Sequence, residues 1–451
     1  MKVIKFGGSS LANGQQFERV VNIIREDSQR QVVVTSAPGK SATESVKVTD
    51  MLLQYAESCI SGHPDEQLLK AIKVRYRQIA DNFDVSEVDL ATITDQLDAL
   101  NQAHYPSYRQ LREYFAAHGE LLNAQLLALI LQSQGVPARF VLPTQIRFES
   151  KKNDEAVFDE EKSLDRLATF PVEKDVVYVF PGFFGFDQHN RIRTFSRGGS
   201  DITGAILAEG LQASLYENFT DVSAIATVDP NVIANPEPIQ AMSYSEMREL
   251  SYAGFNVFHD EAIIPAIHGQ VPICVKNTND PDALGTWIGP ASQLKDSRNI
   301  TGIACTKHFA ALYLHRYLLN RDSQFTRRLL ALMADYKISY EHMPSGIDDL
   351  TVIFNRENLS EKQLQEFVQA VRQELAPDII RLHDQLAIIM VVGQGMKNRS
   401  GALEQIIAPL AKEKISLQMV NQGASEIAIM LAVDEEDAKR AIKAIYDSEF
   451  A

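Results

Sequence analysis

Apolar positions fall into short strand-like runs and longer helical stretches over the first two thirds of the chain. "VIKF" near the start precedes Phe17, Val20, Val21, Ile23 and Ile24, which share one face of a helix. "QVVVTSA" is a β-branched run suited to a strand buried on both faces. From about Thr49 to Gln134 the spacing turns helical; "DVVYVFPGFFG", "ASLYENFTD" and "VPICVKNT" then restore strands. This alternation predicts an α/β domain over residues 1–297, built on a mainly parallel sheet flanked by helices. Ligands of such sheets bind at the carboxyl ends of the strands.

The tail carries an internal repeat. Residues 337–354 align without gaps to 414–431: Ile338 matches Ile415, Ser339 matches Ser416 and Gly346 matches Gly423. The apolar alternation of Leu350, Val352 and Phe354 recurs as Ile427, Ile429 and Leu431, and the preceding helices keep the same phase. Each copy reads strand, helix, strand, strand, helix. The pattern predicts two ferredoxin-like α+β units, at 298–385 and 386–451, each burying an open face.

Charge narrows the partners. With 44 basic and 59 acidic residues the net charge is −15, which argues against nucleic acid or an anionic membrane. Cys59, Cys274 and Cys305 show no metal-binding spacing and read as buried thiols of a reducing compartment. The start lacks the pattern of a secretory signal. The most apolar run, Leu121–Gln132, is too short to span a bilayer. A cytoplasmic protein is expected.

An acidic protein that binds anions needs local positive charge, so lysine and arginine beside glycine turns draw attention. "KFGGSS" places Lys5 just before Gly7 and Gly8, whose backbone can approach a phosphate. "RTFSRGGSDITGAILAEGL" sets Arg197 beside Gly198 and Gly199 at the mouth of a helix, a setting for bidentate capture of a carboxylate. Ser200 or Asp201 is a candidate N-cap there. Glu120 opens the apolar stretch "ELLNAQLLA"; a favourable helix dipole and a substrate ammonium both account for a carboxylate at that position. Thr220 and Asp221 follow a strand. Gly39-Lys40-Ser41 is not a Walker A loop, because Val34 stands where its first glycine belongs.

In their order along the chain, "KFGGSS", "HGE" before a long helix, "SRGGSDITGAILAE" and "TDV" followed by "TVDP" resemble the aspartate kinases. The duplicated tail is similar to their paired ACT domains. Ending at Ala451, the chain matches the monofunctional members rather than those fused to homoserine dehydrogenase. The resemblance implies an amino-acid kinase fold followed by two ACT domains. It implies phosphoryl transfer from ATP, with Mg²⁺, to the side-chain carboxylate of L-aspartate, the first step towards lysine, threonine and methionine. Lys5 and Asp201 would be catalytic. Lys5, Phe6, Gly7, Gly8, Thr220 and Asp221 would meet the nucleotide. Thr49, Glu120, Arg197, Gly198, Gly199 and Ser200 would bind aspartate, Glu120 through its ammonium group and Arg197 through its α-carboxylate. The tail would sense lysine or threonine and build a homodimer or larger homo-oligomer. Ala224, Ala226, Asn231 and Asn256 depart from the family on the expected nucleotide side, and Gln324 stands where inhibited relatives often carry glycine. A kinase for another acceptor such as glutamate, or an inactive amino-acid sensor, stays open at this point.

Overall fold

The computed structural model describes residues 1–450 except 103–104, 152–154, 196–197, 256–257, 259 and 295–297. The chain forms two compact units. The first comprises residues 1–225, 238–251 and 256–296; the second comprises 226–237, 252–255 and 297–451.

The first unit is built on an eight-stranded sheet. Its spatial order is Ala241–Ser243, Thr286–Gly289, Ile273–Asn277, Leu215–Thr220, Lys2–Phe6, Arg30–Thr35, Val177–Pro181, Ala138–Phe140. All neighbours are parallel except Ile273–Asn277 and Thr286–Gly289. Val32, Val33 and Val34 are fully buried, as the β-branched run predicts. Helices Gly14–Glu26, Val48–Ile60, Glu66–Ala80 and Tyr108–Ser133 bury their apolar faces in one core with Ile4, Phe6 and Val33.

Two sequence expectations need correction. The apolar run Leu121–Gln132 lies inside a 26-residue helix, Tyr108–Ser133, long and apolar enough to cross a membrane, yet 83% of its apolar window is buried within the protein. Burial in the core, not shortness, accounts for its composition. The single run "DVVYVFPGFFG" breaks into Val177–Pro181 and Phe184–Phe186, because Phe183 turns the backbone to φ 78°. The second piece joins a four-stranded sheet with Arg147–Ser150, Ala156–Asp159 and Ile192–Thr194.

The second unit repeats strand–helix–strand–strand–helix twice, as the sequence predicts. Its six strands make one antiparallel sheet, ordered Tyr340–His342, Asp349–Asn355, Gly302–His315, Ile379–Val392, Ala428–Asp434, Met419–Gln422. The two 14-residue strands are shared between the repeats. Phe309–His315 pairs with Asp349–Asn355, while Gly302–Thr306 runs beside Ile388–Val392. Each long strand turns into left-handed backbone at its midpoint, His308 at φ 66° and Gln385 at φ 61°. The position 385/386 therefore lies within a continuous strand. Residues 226–237 add Val228, Val232 and Ile233 to the core beneath the second repeat.

Candidate active site

Sheet register brings five strand ends level. Phe6 pairs with Thr35 and Phe219, Thr35 with Pro181, and Thr220 with Asn277. The polar residues singled out above reach this edge from strands, helices and loops. Lys5, one residue from its strand end, is 7% exposed. Its Nζ lies 2.6 Å from Asp201 Oδ1 and donates to Asn218 Oδ1 at 3.3 Å. Asn218 Nδ2 in turn donates to Asp201 Oδ1 at 2.9 Å. Two side chains, one from a strand and one from a helix, thus hold the Lys5 ammonium in a fixed place.

Asp201 reaches Lys5 from the first turn of helix Gly199–Gly210. Gly198 begins that helix at φ 71°, in the left-handed region that favours glycine, and no side chain caps it. Neither Ser200 nor Asp201 is the N-cap, so the capping expectation is corrected. Ser200 instead packs against Gly182, where an added β-carbon would come within 2.6 Å of Ser200 Oγ. Arg197 and Ser196 lie outside the described residues, as does Asn256.

The glycines after the first strand serve different ends. A β-carbon on Gly7 would make only ordinary van der Waals contacts, with Phe219 O at 3.6 Å and Lys5 Nζ at 3.7 Å, so this partly exposed glycine lies directly beside the lysine. A β-carbon on Gly39 would fall 2.4 Å from the carbonyl carbon of Gly8, and Gly39 N–H donates to Gly8 O at 2.8 Å. Two backbones cross there at a distance only glycine permits. Buried Arg75 secures the crossing, donating to Gly39 O at 2.6 Å and Ala12 O at 3.0 Å and pairing with Glu44.

The loop after Thr35 also reaches the long helix. Asn123 Nδ2 donates to Ser36 O at 2.7 Å, and a β-carbon on Gly119 would lie 2.8 Å from Ala37 Cβ and 3.3 Å from Thr49 Oγ1. Glu120 follows Gly119 and sits in the middle of Tyr108–Ser133, not at a helix start. The dipole explanation of this carboxylate is therefore corrected. Burial pushes its carboxyl up to about 8, against the pull of the Ala37 backbone and Lys47. Glu120 Oε2 is buried with no hydrogen-bond partner among the described residues. A lone buried carboxyl oxygen of this kind is costly unless a partner arrives.

Thr220 ends its strand, accepting the Thr278 N–H at its carbonyl while its hydroxyl donates to Asp221 Oδ1 at 3.1 Å. Ser10 and Thr278 hydroxyls meet at 2.7 Å, tying the first glycine turn to the loop after Asn277.

A model of the amino acid kinase family matches residues 1–277, and an ACT domain model matches 389–448. Aspartokinase 3 of Bacillus subtilis is 40% identical over 100% of this chain and 99% of its own. The chain belongs to the aspartokinase family. The crystal structure of Clostridium acetobutylicum aspartate kinase superposes with TM-score 0.85 at 36% identity, over 99% of both chains. Two crystal structures of Escherichia coli aspartokinase III, one with aspartate and ADP and one with lysine and aspartate, share the fold. They superpose with TM-scores 0.78 and 0.75 at 24% identity over 100% of each chain.

In this aspartokinase the structure brings Lys5, Gly7, Gly8, Ser200, Asp201 and Thr220 to one set of strand ends, with Thr49 and Glu120 tied to it through the loop after Thr35. Sequence reasoning missed Asn218, Gly182, Gly39 and Arg75. Asn218 stands beside Glu217 in the buried strand Leu215–Thr220, a pair of polar residues in a core strand that marked the position. Gly39 was set aside with the rejected Walker motif, although glycine after Pro38 in a strand-end loop still marked a close approach.

Proposed function

We propose that this aspartokinase transfers the γ-phosphoryl group of ATP to the side-chain carboxylate of L-aspartate, giving 4-phospho-L-aspartate and ADP. The observation that carries the reading is the Lys5 ammonium, fixed by Asp201 and Asn218 beside the partly exposed Gly7. Gly7 and Gly8 let the nucleotide phosphates approach the backbone, with Phe6, Thr220 and Asp221 along the same edge. A lysine ammonium beside a strand-end glycine is a setting that suits a phosphate group. Magnesium comes with the nucleotide as its counter-ion and supplies charge neutralisation.

The acceptor oxygen is already ionised at neutral pH, so no general base is required. That oxygen attacks the γ-phosphorus, the bond to the bridging β,γ-oxygen breaks, and ADP leaves with the electron pair. The protein's task is alignment and stabilisation of the charge that spreads over the transferred group. Lys5 meets that charge. Asp201 and Asn218 hold Lys5 in place, which limits reorganisation during transfer. Glu120 takes the substrate ammonium, with Thr49, Gly198, Gly199 and Ser200 lining the same side. Arg197 is assigned the α-carboxylate on the family resemblance.

The second unit is proposed to sense lysine or threonine and to join chains into a homodimer or larger assembly. The loops around "NRDSQFTRRLL" and "EHMPSGIDD" are proposed for the effector, and they meet: Leu318 N–H donates to Asp348 Oδ1 at 2.7 Å, and Asn320 N–H to Ile347 O at 3.0 Å. Residues 1–297 are assigned catalysis, and 298–385 and 386–451 regulation, in a cytoplasmic enzyme. The test is ADP formation by the purified chain with L-aspartate, L-glutamate or no acceptor. The reading requires turnover with aspartate and only background with glutamate; equal rates with both would refute it.

A further inference from the structure

Away from the strand ends, Glu160, Glu209 and His268 bring three potential ligand atoms within 4.8 Å of one another. They come from three helices of the first unit: the first residue of Glu160–Ala168, the next-to-last of Gly199–Gly210 and the last of Asp260–His268. His268 Nδ1 and Glu160 Oε1 are 2.7 Å apart. Glu209 Oε2 is buried and has no hydrogen-bond partner among the described residues. Gly269 holds its stem in place, since a β-carbon there would meet Glu209 Cα, Cβ and Cγ at 3.1 Å.

The electrostatics of this corner favour a cation. Two of the three helices end here and one begins, so two negative carboxyl termini outweigh one positive amino terminus beside two carboxylates. A single imidazole cannot offset both carboxylates, whereas a divalent ion can.

We propose that Glu160, Glu209 and His268 form a binding site for a first-row divalent cation of the zinc type, completed by water. One imidazole nitrogen with two carboxylate oxygens is a borderline donor set that suits zinc better than magnesium. Tetrahedral bonds of about 2.0–2.2 Å set ligand atoms roughly 3.4 Å apart, so these side chains close around the ion by small rotations. The ion ties together the ends of three helices. One of these is the helix whose first turn carries Asp201, eight residues and roughly 12 Å from Glu209. The site thus braces the far end of the element that positions Lys5.

The test uses the full chain, stripped of metal with a chelator that is then removed. Zinc is titrated by calorimetry into the wild type, Glu209→Gln and His268→Ala, and each is melted with and without zinc. The wild type binds one zinc ion at this site and its melting temperature rises with zinc concentration. Each substitution weakens that binding at least about 100-fold and abolishes the thermal shift, while excess magnesium leaves wild-type zinc binding intact. Zinc uptake equal in the wild type and both variants, or no uptake by the wild type, would overturn the proposal. His268 is more than half exposed, so His268→Ala keeps the fold testable if Glu209→Gln does not.

Discussion

In the role proposed for Glu120, as partner of the substrate ammonium, aspartate binding should depend on pH in a direction set by its surroundings. Burial holds the empty site's carboxyl at about 8. At pH 7 roughly nine molecules in ten carry a protonated Glu120, and at pH 6 roughly ninety-nine in a hundred. The substrate ammonium pairs with the ionised form, so binding expels a proton. Aspartate affinity should therefore rise by up to about tenfold per pH unit from 6 towards 8, then level off. Calorimetry at pH 7 in buffers of differing ionisation heat should register about 0.9 proton released per aspartate bound. Glu120→Gln cannot release that proton, so its aspartate affinity should be weak and flat with pH across the range. The sign for folding is opposite to that of an ordinary paired carboxylate: the raised value favours the empty fold at low pH, and that advantage is lost as pH rises through about 8. Proton release near zero in the wild type, or the same pH slope in Glu120→Gln, would refute the assignment of Glu120 to the substrate ammonium.

Other substitutions test separate links. Lys5→Ala should lower kcat at least about 100-fold while circular dichroism stays native, as expected when a charge-stabilising donor is removed; near-normal turnover would remove Lys5 from the mechanism. Gly39→Ala places a methyl group on the Gly8 backbone, which cannot swing aside. It should cost about 1–3 kcal/mol in denaturant unfolding and raise the KM for ATP. Arg30 donates to Glu217 through Nε at 2.7 Å and Nη2 at 3.1 Å, with both residues buried. Arg30→Met should therefore cost about 3–5 kcal/mol by stranding that carboxylate, and adding Glu217→Leu should recover much of it. Lysine, threonine and methionine, tested alone and in pairs, should include at least one inhibitor whose effect falls in Asp348→Ala; silence across the panel would make the tail structural only.

The fold was legible where periodicity and burial agree. The β-branched run at Val32–Val34 became a strand buried on both faces, and the shared phase of the tail became two repeats of one unit. What sequence could not show was how the repeats share strands, because Gly302–His315 and Ile379–Val392 pair along their whole length while each takes a second neighbour over only one half. At the site, Lys5, Gly7 and Gly8 were legible from local chemistry: charge beside glycine at a strand end. Asp201 looked like a cap because short-range rules see only the helix, whereas its partner Lys5 lies 196 positions earlier in the chain. Glu120 looked like a helix start because the residues before it are less apolar, yet Phe115 and Ala117 are fully buried and carry the helix back to Tyr108. Asn218 was overlooked because its role arises only when two other side chains converge on it.

The central claim is a chemical one, transfer to a side-chain carboxylate. Incubating the purified protein with ATP, magnesium, L-aspartate and hydroxylamine traps an acyl phosphate as its hydroxamate. The account predicts one aspartyl β-hydroxamate for each ADP formed, with neither product above background in Lys5→Ala. ADP formation by the wild type without hydroxamate, or hydroxamate at the α-carboxyl, would contradict it.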